Sequence, residues 1–272
     1  MSWQLPGPAW LFCPADRPDR YAKAAAAADV VILDLEDAVA PADKEKARTA
    51  LIDTPLDPDR TVVRVNAVGT DDHERDLLAI DGTKYTRVML PKCESADQVL
   101  SLAPGEVIAL VESPQGALAV EEIALAANAI GVMWGAEDLV AALGGNSSRD
   151  GRGVYRDVAR HVRSSTLLAA KAYHRIALDS VYLDFADLDG LRAESDDAVA
   201  VGFDVKVAIH PTQVGVIRAA YTPTDEDVSW ARSVLAAAEH ENGVFAFEGK
   251  MVDSPVLHHA EHVLRRIPTG QE

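Results

Sequence analysis

Eight short apolar, β-rich runs recur along this chain, at 10–13, 30–35, 61–65, 87–90, 107–111, 130–134, 180–183 and 206–209. Between them lie alanine-rich stretches with apolar residues at helical spacing, among them 17–28, 41–51, 95–102 and 155–173. Strand followed by helix, repeated, implies a parallel sheet. Open doubly wound sheets commonly stop at about six strands, whereas eight βα units are the count of a (β/α)8 TIM barrel, which is the fold expected here. The first run leads into Cys13-Pro14-Ala15-Asp16 instead of a glycine-rich fingerprint, and there is no Walker-type lysine loop. A nucleotide-binding Rossmann domain is therefore not expected.

The pattern changes near Tyr221. Thr222-Pro223-Thr224 reads as a hinge and cap, 225–240 as a helix, 243–253 as a glycine-punctuated loop and 254–266 as a last helix. The expected organisation is a catalytic barrel over 1–222 and a C-terminal helical and loop extension over 223–272. So short an extension is expected to lack a core of its own and to pack on the barrel or on an adjacent subunit. A second glycine-rich loop, 144–153, follows the sixth run and is read as a flexible cover on the active face.

A formal charge of −17 excludes nucleic acid and anionic membrane surfaces as main partners, because both select a basic face. An anionic substrate would need a metal ion or a local concentration of basic residues, such as Arg17, Arg20 and Lys23. The two cysteines, Cys13 and Cys93, form no CxxC or zinc pattern and read as reduced thiols. With no signal-peptide pattern and no segment of membrane-spanning length, the expected location is the cytoplasm.

Three apolar runs stop at acids: 30–33 at Asp34-Leu35-Glu36-Asp37, 107–111 at Glu112, and Val132-Met133-Trp134-Gly135 just before Glu137-Asp138. The carboxyl ends of barrel strands form the site, which gathers Glu36, Asp37, Arg64, Asn66, Lys92, Glu112, Glu137, Asp138 and His210 at one rim. Crowded like charges call for a cation or for protonation. Hard oxygen donors suit Mg²⁺, with Glu112 and Asp138 as ligands and Glu36 and Asp37 holding its waters. The alternative for Glu112 and Asp138 is helix capping or pairing with an arginine. Arg64 ends a buried strand and is either a fixed partner of Glu36 or Asp37, or a donor to substrate, or both. Gly135 and Ala136, with Glu137, read as substrate contacts where backbone N–H groups approach a ligand. His210 is a base, a donor, or a histidine satisfied at a strand end, and the other histidines read as surface residues.

These features resemble the CitE-like branch of the HpcH/HpaI aldolase superfamily, which includes citrate lyase β-subunits, malyl-CoA lyases and citramalyl-CoA lyases. The resemblance rests on Trp10-Leu11-Phe12-Cys13-Pro14, Leu33-Asp34-Leu35-Glu36-Asp37, Val63-Arg64-Val65-Asn66, Met89-Leu90-Pro91-Lys92, Val111-Glu112-Ser113, Gly135-Ala136-Glu137-Asp138, Ile209-His210-Pro211 and Gly249-Lys250-Met251-Val252-Asp253. It implies Mg²⁺ on Glu112 and Asp138, Arg64 facing the substrate, and Ile209 and His210 lining its pocket. It further implies Asp253 as the catalytic acid/base, supplied by the tail of an adjacent subunit, and hence a homo-oligomer, commonly a trimer. Coenzyme A contacts are implied for Phe12, Lys23 and Arg20, although Pro14-Ala15-Asp16 stands where the family often has Pro-Gly-Asn, and Asp19 where a lysine is usual. The implied activity is Mg²⁺-dependent, Claisen-type cleavage or condensation of a carboxylated 3-hydroxyacyl-CoA, giving acetyl-CoA and an oxo acid. The alternatives are an aldolase acting on free oxo acids, or an accessory subunit of a citrate lyase complex or a ligand sensor.

Overall fold

The computed structural model describes residues 3–239, 241 and 243–267. Eight strands close into a parallel barrel in chain order: β1 (Ala9–Pro14), β2 (Val30–Asp34), β3 (Thr61–Arg64), β4 (Arg87–Leu90), β5 (Glu106–Val111), β6 (Ala129–Trp134), β7 (Ile176–Asp179) and β8 (Val205–Ala208). Strand β1 pairs with β8 at Trp10 and Val207, so the sheet has no free edge. The expected (β/α)8 barrel is borne out.

One strand lies elsewhere than its sequence suggests. The run 180–183 is loop, and the seventh strand is Ile176–Asp179 just before it. A barrel strand must be covered on both faces, and Ala177 and Leu178 are, whereas Leu183 is 55% exposed. The strand ends on a fully buried acid that is neutralised from outside the strand. Asp179 accepts from Trp134 Nε1 at 2.7 Å and pairs with Lys206 at 3.1 Å and Arg163 at 3.0 Å.

The alternation of side chains along each strand decides which residues reach the mouth. Trp10, Ile32, Val62, Leu110, Met133 and Val207 belong to one interior apolar cluster. Two residues further along their strands stand Phe12, Asp34, Arg64, Glu112, Gly135 and Ile209. The period that fills the barrel with hydrocarbon thus delivers an acid, a guanidinium and a second acid to its upper rim.

Outside the wall, the helices Asp157–Ala172 and Leu188–Val201 enclose a polar network. Lys206, with no exposure, meets Asp179 and lies 2.8 Å from Glu194. Glu194 in turn holds Arg149 at 2.6 Å, whose guanidinium lies 3.6 Å from the Tyr155 ring centre. The loop read as a flexible cover is therefore anchored, because Ser148 also donates to Glu137 at 2.5 Å.

Residues from Arg218 onward form a second compact unit, and the division falls inside the helix Pro211–Tyr221. It comprises the helices Asp225–Ala238 and Ser254–Arg265 and a hairpin of β9 (Phe245–Phe247) and β10 (Lys250–Val252). A Thr224–Asp227 capping box starts the first helix. Glu248 and Gly249 both take positive φ, at 49° and 76°, the conformation that a two-residue hairpin turn demands. Contrary to expectation, the extension has its own small core, in which Ala231, Val234, Val252, Ala260 and Val263 are buried. The two aromatic residues of β9 cover it from one side, which the reading of 243–253 as plain loop overlooked. The expected helix end at His240 lies outside the described residues. No helix among the described residues is long and apolar enough to cross a membrane.

Candidate active site

Arg64 is the most constrained side chain of the mouth. Asp34, itself 1% exposed, accepts from its Nε at 2.7 Å and from its Nη2 at 2.6 Å. Glu36 approaches Nη1 at 2.9 Å. Burial opposes the charge on the guanidinium, but Asp34, Glu36 and Glu112 outweigh it and raise the pKa further. A guanidinium carries five N–H donors, so terminal donors remain for a ligand after these contacts. Arg64 also lies over the Phe12 ring at 4.7 Å, which leaves Phe12 half-buried between the core and the mouth.

Glu36 faces two cations, because Lys92 Nζ donates to its second oxygen at 2.5 Å. Burial pushes the carboxyl up, against the pull of Arg64 and Lys92. The neighbouring Asp37 is exposed and stands 3.6 Å from Lys92.

Glu112 is in a different position. It is 4% exposed, accepts from the Lys92 backbone N–H through Oε1 at 2.9 Å, and turns Oε2 toward Gly135. A Cβ at position 135 would stand 2.7 Å from that oxygen, so glycine is required there by contact rather than by φ. Burial first, then the charges of Asp138 and Glu36, push Glu112 up to about 8. Asp138 lies in the first turn of the helix Ala136–Ala142, half-buried. Two carboxylates that repel one another at a water-accessible rim are short of positive charge. That donor set fits a hard divalent cation that takes one or two protein carboxylates and keeps several waters. Among the described residues no group of three or more His, Cys, Asp or Glu forms a fuller metal cage.

The remaining expected residues are distributed unevenly. Ala136 is buried behind Gly135, while Glu137 is exposed and engaged by Ser148. The backbone N–H groups of Ile209 and His210 both donate to the buried Gln213 side chain, at 2.9 and 3.2 Å, which fixes the turn after β8. His210 is exposed, hydrogen-bonded to Thr212 at 2.8 Å and stacked on Phe185 at 5.3 Å. Arg20 and Lys23 are exposed around the start of the helix Tyr21–Ala27, and Arg17 is held by Asp19 at 3.1 Å. Asp253 begins the helix Ser254–Arg265 but makes no side-chain cap hydrogen bond, so its carboxylate is not used for capping.

Asn66, placed at the rim by the sequence, is buried there and braces the segments that follow β2 and β3. Its side chain bonds Asp76 and Leu35 O, and accepts from Lys44, whose ammonium also bonds the carbonyls of Leu35 and Glu36. His73, read as a surface residue, is 3% exposed and bonds Asn66 O at 2.8 Å. Asp34, Lys44 and Gln213 are the supporting residues that sequence reasoning did not select. Alternation along β2 from Ile32 was a signal for Asp34; for Lys44 and Gln213 there was none.

A closed eight-stranded barrel with a guanidinium and paired acids at its carboxyl rim defines a barrel enzyme with an anion-handling mouth. The HpcH/HpaI aldolase/citrate lyase family model matches residues 9–211, and the chain belongs to that family of carbon–carbon lyases. It is 65% identical over 266 residues to the citrate lyase subunit beta-like protein of Mycobacterium tuberculosis, spanning 98% of this chain and 97% of that one. It is 32% identical to the mitochondrial citramalyl-CoA lyase of Rattus norvegicus, over 87% of this chain and 78% of the relative. The crystal structure of M. tuberculosis CitE in complex with magnesium, acetoacetate and coenzyme A superposes with a TM-score of 0.92 at 66% identity, covering 96% of this chain and 97% of that one.

Proposed function

We propose that this chain is a Mg²⁺-dependent acyl-CoA lyase that cleaves, or forms, a carboxylated 3-hydroxyacyl-CoA such as malyl-, citramalyl-, citryl- or 3-hydroxy-3-methylglutaryl-CoA, with acetyl-CoA and an oxo acid as the other side of the reaction. The observation that carries the reading is the joint presentation of Arg64, locked by Asp34, and of the mutually repelling Glu112 and Asp138 at one barrel rim. The relatives' ligands and activities support it.

Glu112 and Asp138 would hold the cation, which when bound supplies a Lewis acid for a substrate oxygen. Arg64 donates its free N–H groups to the thioester oxygen as negative charge collects there, an interaction worth more in the transition state than in the ground state. Glu36 and Lys92 keep that guanidinium from turning away. Asp253 exchanges the proton at the acetyl carbon, on a segment whose carboxylate is not spent on its own helix. Ile209, His210 and the Gly135-Ala136-Glu137 turn border the acyl group, and Phe12, Arg20 and Lys23 meet coenzyme A. We place the working unit as a homo-oligomer, trimer favoured, in which one subunit's extension serves another's mouth. The two unpaired, buried thiols suit a reducing compartment, here the cytoplasm.

The test is turnover of a panel of 3-hydroxyacyl-CoA esters by the purified chain, with and without EDTA. EDTA-sensitive release of acetyl-CoA supports the proposal. Deuterium exchange into free pyruvate but not acetyl-CoA would favour an aldolase on free oxo acids, and inactivity of the pure chain on every ester would favour an accessory role.

A further inference from the structure

Lys92 reaches both halves of the mouth, hydrogen-bonding Glu112 through its backbone N–H and Glu36 through its ammonium. It follows β4 and takes φ +49°, a left-handed conformation that a residue with a side chain adopts at some cost. That conformation has a visible use: it aims the Lys92 N–H at Glu112 Oε1 while the side chain runs to Glu36 Oε1. Backbone and side chain of one residue thus hold two acids that belong to different tasks.

We propose that Lys92 is a positioning residue that fixes the spacing between the cation site and the Arg64 guanidinium, an inference that rests on the reading of Glu112 as a cation ligand. Its amide holds Oε1 of Glu112, so that Oε2, over Gly135, is the oxygen presented to the ion. Its ammonium holds Glu36 against Arg64 Nη1, 2.9 Å away. The two duties are separable by substitution. An unbranched apolar residue keeps the amide and discards the ammonium. A β-branched residue resists the left-handed region and so withdraws the amide as well.

The experiment is Mn²⁺ titration followed by EPR on wild type, Lys92→Met and Lys92→Val, with circular dichroism as the folding control and acetyl-CoA-forming turnover measured in parallel. Lys92→Met is expected to bind Mn²⁺ at least as tightly as wild type, since a nearby positive charge is gone, and to lose about tenfold or more in kcat. Lys92→Arg is expected to recover part of that kcat. Lys92→Val is expected to bind Mn²⁺ about tenfold more weakly than Lys92→Met, the scale of losing a group that orients a metal ligand. Equal Mn²⁺ affinity in folded Lys92→Val and Lys92→Met would overturn the amide role. Wild-type kcat in Lys92→Met would overturn the ammonium role, and that arm stands even where the valine variant does not fold. A wild type that turns over substrate but binds no Mn²⁺ would remove the cation reading and this inference with it, whereas weak binding confined to a variant tests Lys92 alone.

Discussion

Glu112→Gln should make the cation-free protein more stable, by an amount that grows with pH. Burial and the charge of Asp138 raise this carboxyl from the ordinary 4.5 to about 8. The folded chain therefore keeps a proton that the unfolded chain has already released, and the wild type loses stability as pH climbs from 4.5 toward 8, levelling above it. Each unit of difference corresponds to about 1.4 kcal/mol, so the cost at pH 7.5 reaches about 4 kcal/mol before solvent and relaxation soften it. Glutamine has nearly the same shape, still accepts from the Lys92 amide through its own oxygen, and has no proton to lose. Urea unfolding of both proteins in EDTA, from pH 5 to 8.5, should show a small advantage for the variant at pH 5 that widens to about 2–4 kcal/mol at pH 7.5. Saturating Mg²⁺ should close or reverse the gap, because only the wild type gains from binding. An advantage that does not change with pH, or a variant less stable throughout, would refute the argument that repulsion and burial dominate at Glu112.

Arg64→Ala should lower turnover by about a hundredfold or more and also cost about 3 kcal/mol of stability, because Asp34 is left buried without its counter-charge; adding Asp34→Asn should restore part of the stability and none of the turnover, as read by urea unfolding and steady-state kinetics. Asp253→Asn should leave Mn²⁺ affinity unchanged while abolishing deuterium exchange into the acetyl group of acetyl-CoA, followed by NMR; unchanged exchange would take Asp253 out of the mechanism. Gly135→Ala should weaken Mn²⁺ binding by roughly tenfold, since its methyl would displace Glu112 Oε2, and calorimetric affinity equal to wild type would show that this close approach is not needed.

Much of the barrel is legible in the sequence because a strand buried on both faces must be written in β-branched and apolar residues, as Val30 to Leu33 and Val107 to Val111 are. The seventh strand breaks that rule for a physical reason. Its terminal Asp179 is hidden by Lys206 and Arg163, and a buried ion pair looks in sequence like the start of a loop, while the exposed 180–183 segment looks like a strand. At the site, the residue types were visible but not their facing. Arg64 was expected to pair with Glu36 or Asp37; it takes Glu36, but its principal partner is Asp34, which alternation along β2 aims at it, and Asp37 points to solvent. Lys44 and Gln213 carry no local pattern at all, since their role depends on backbone groups brought near by the closed barrel. The small core of the extension was illegible because its buried members come as only two residues from each of two helices and one from a hairpin strand.

The claim on which the rest depends is that Glu112 and Asp138 together hold one divalent cation. Crystals grown with Mn²⁺ and measured near the manganese absorption edge test it most directly. The account predicts a single anomalous peak at the barrel rim within bonding distance of a carboxylate oxygen from each of these residues. A peak elsewhere, or a rim without one in crystals of protein that is active with Mn²⁺, would contradict it.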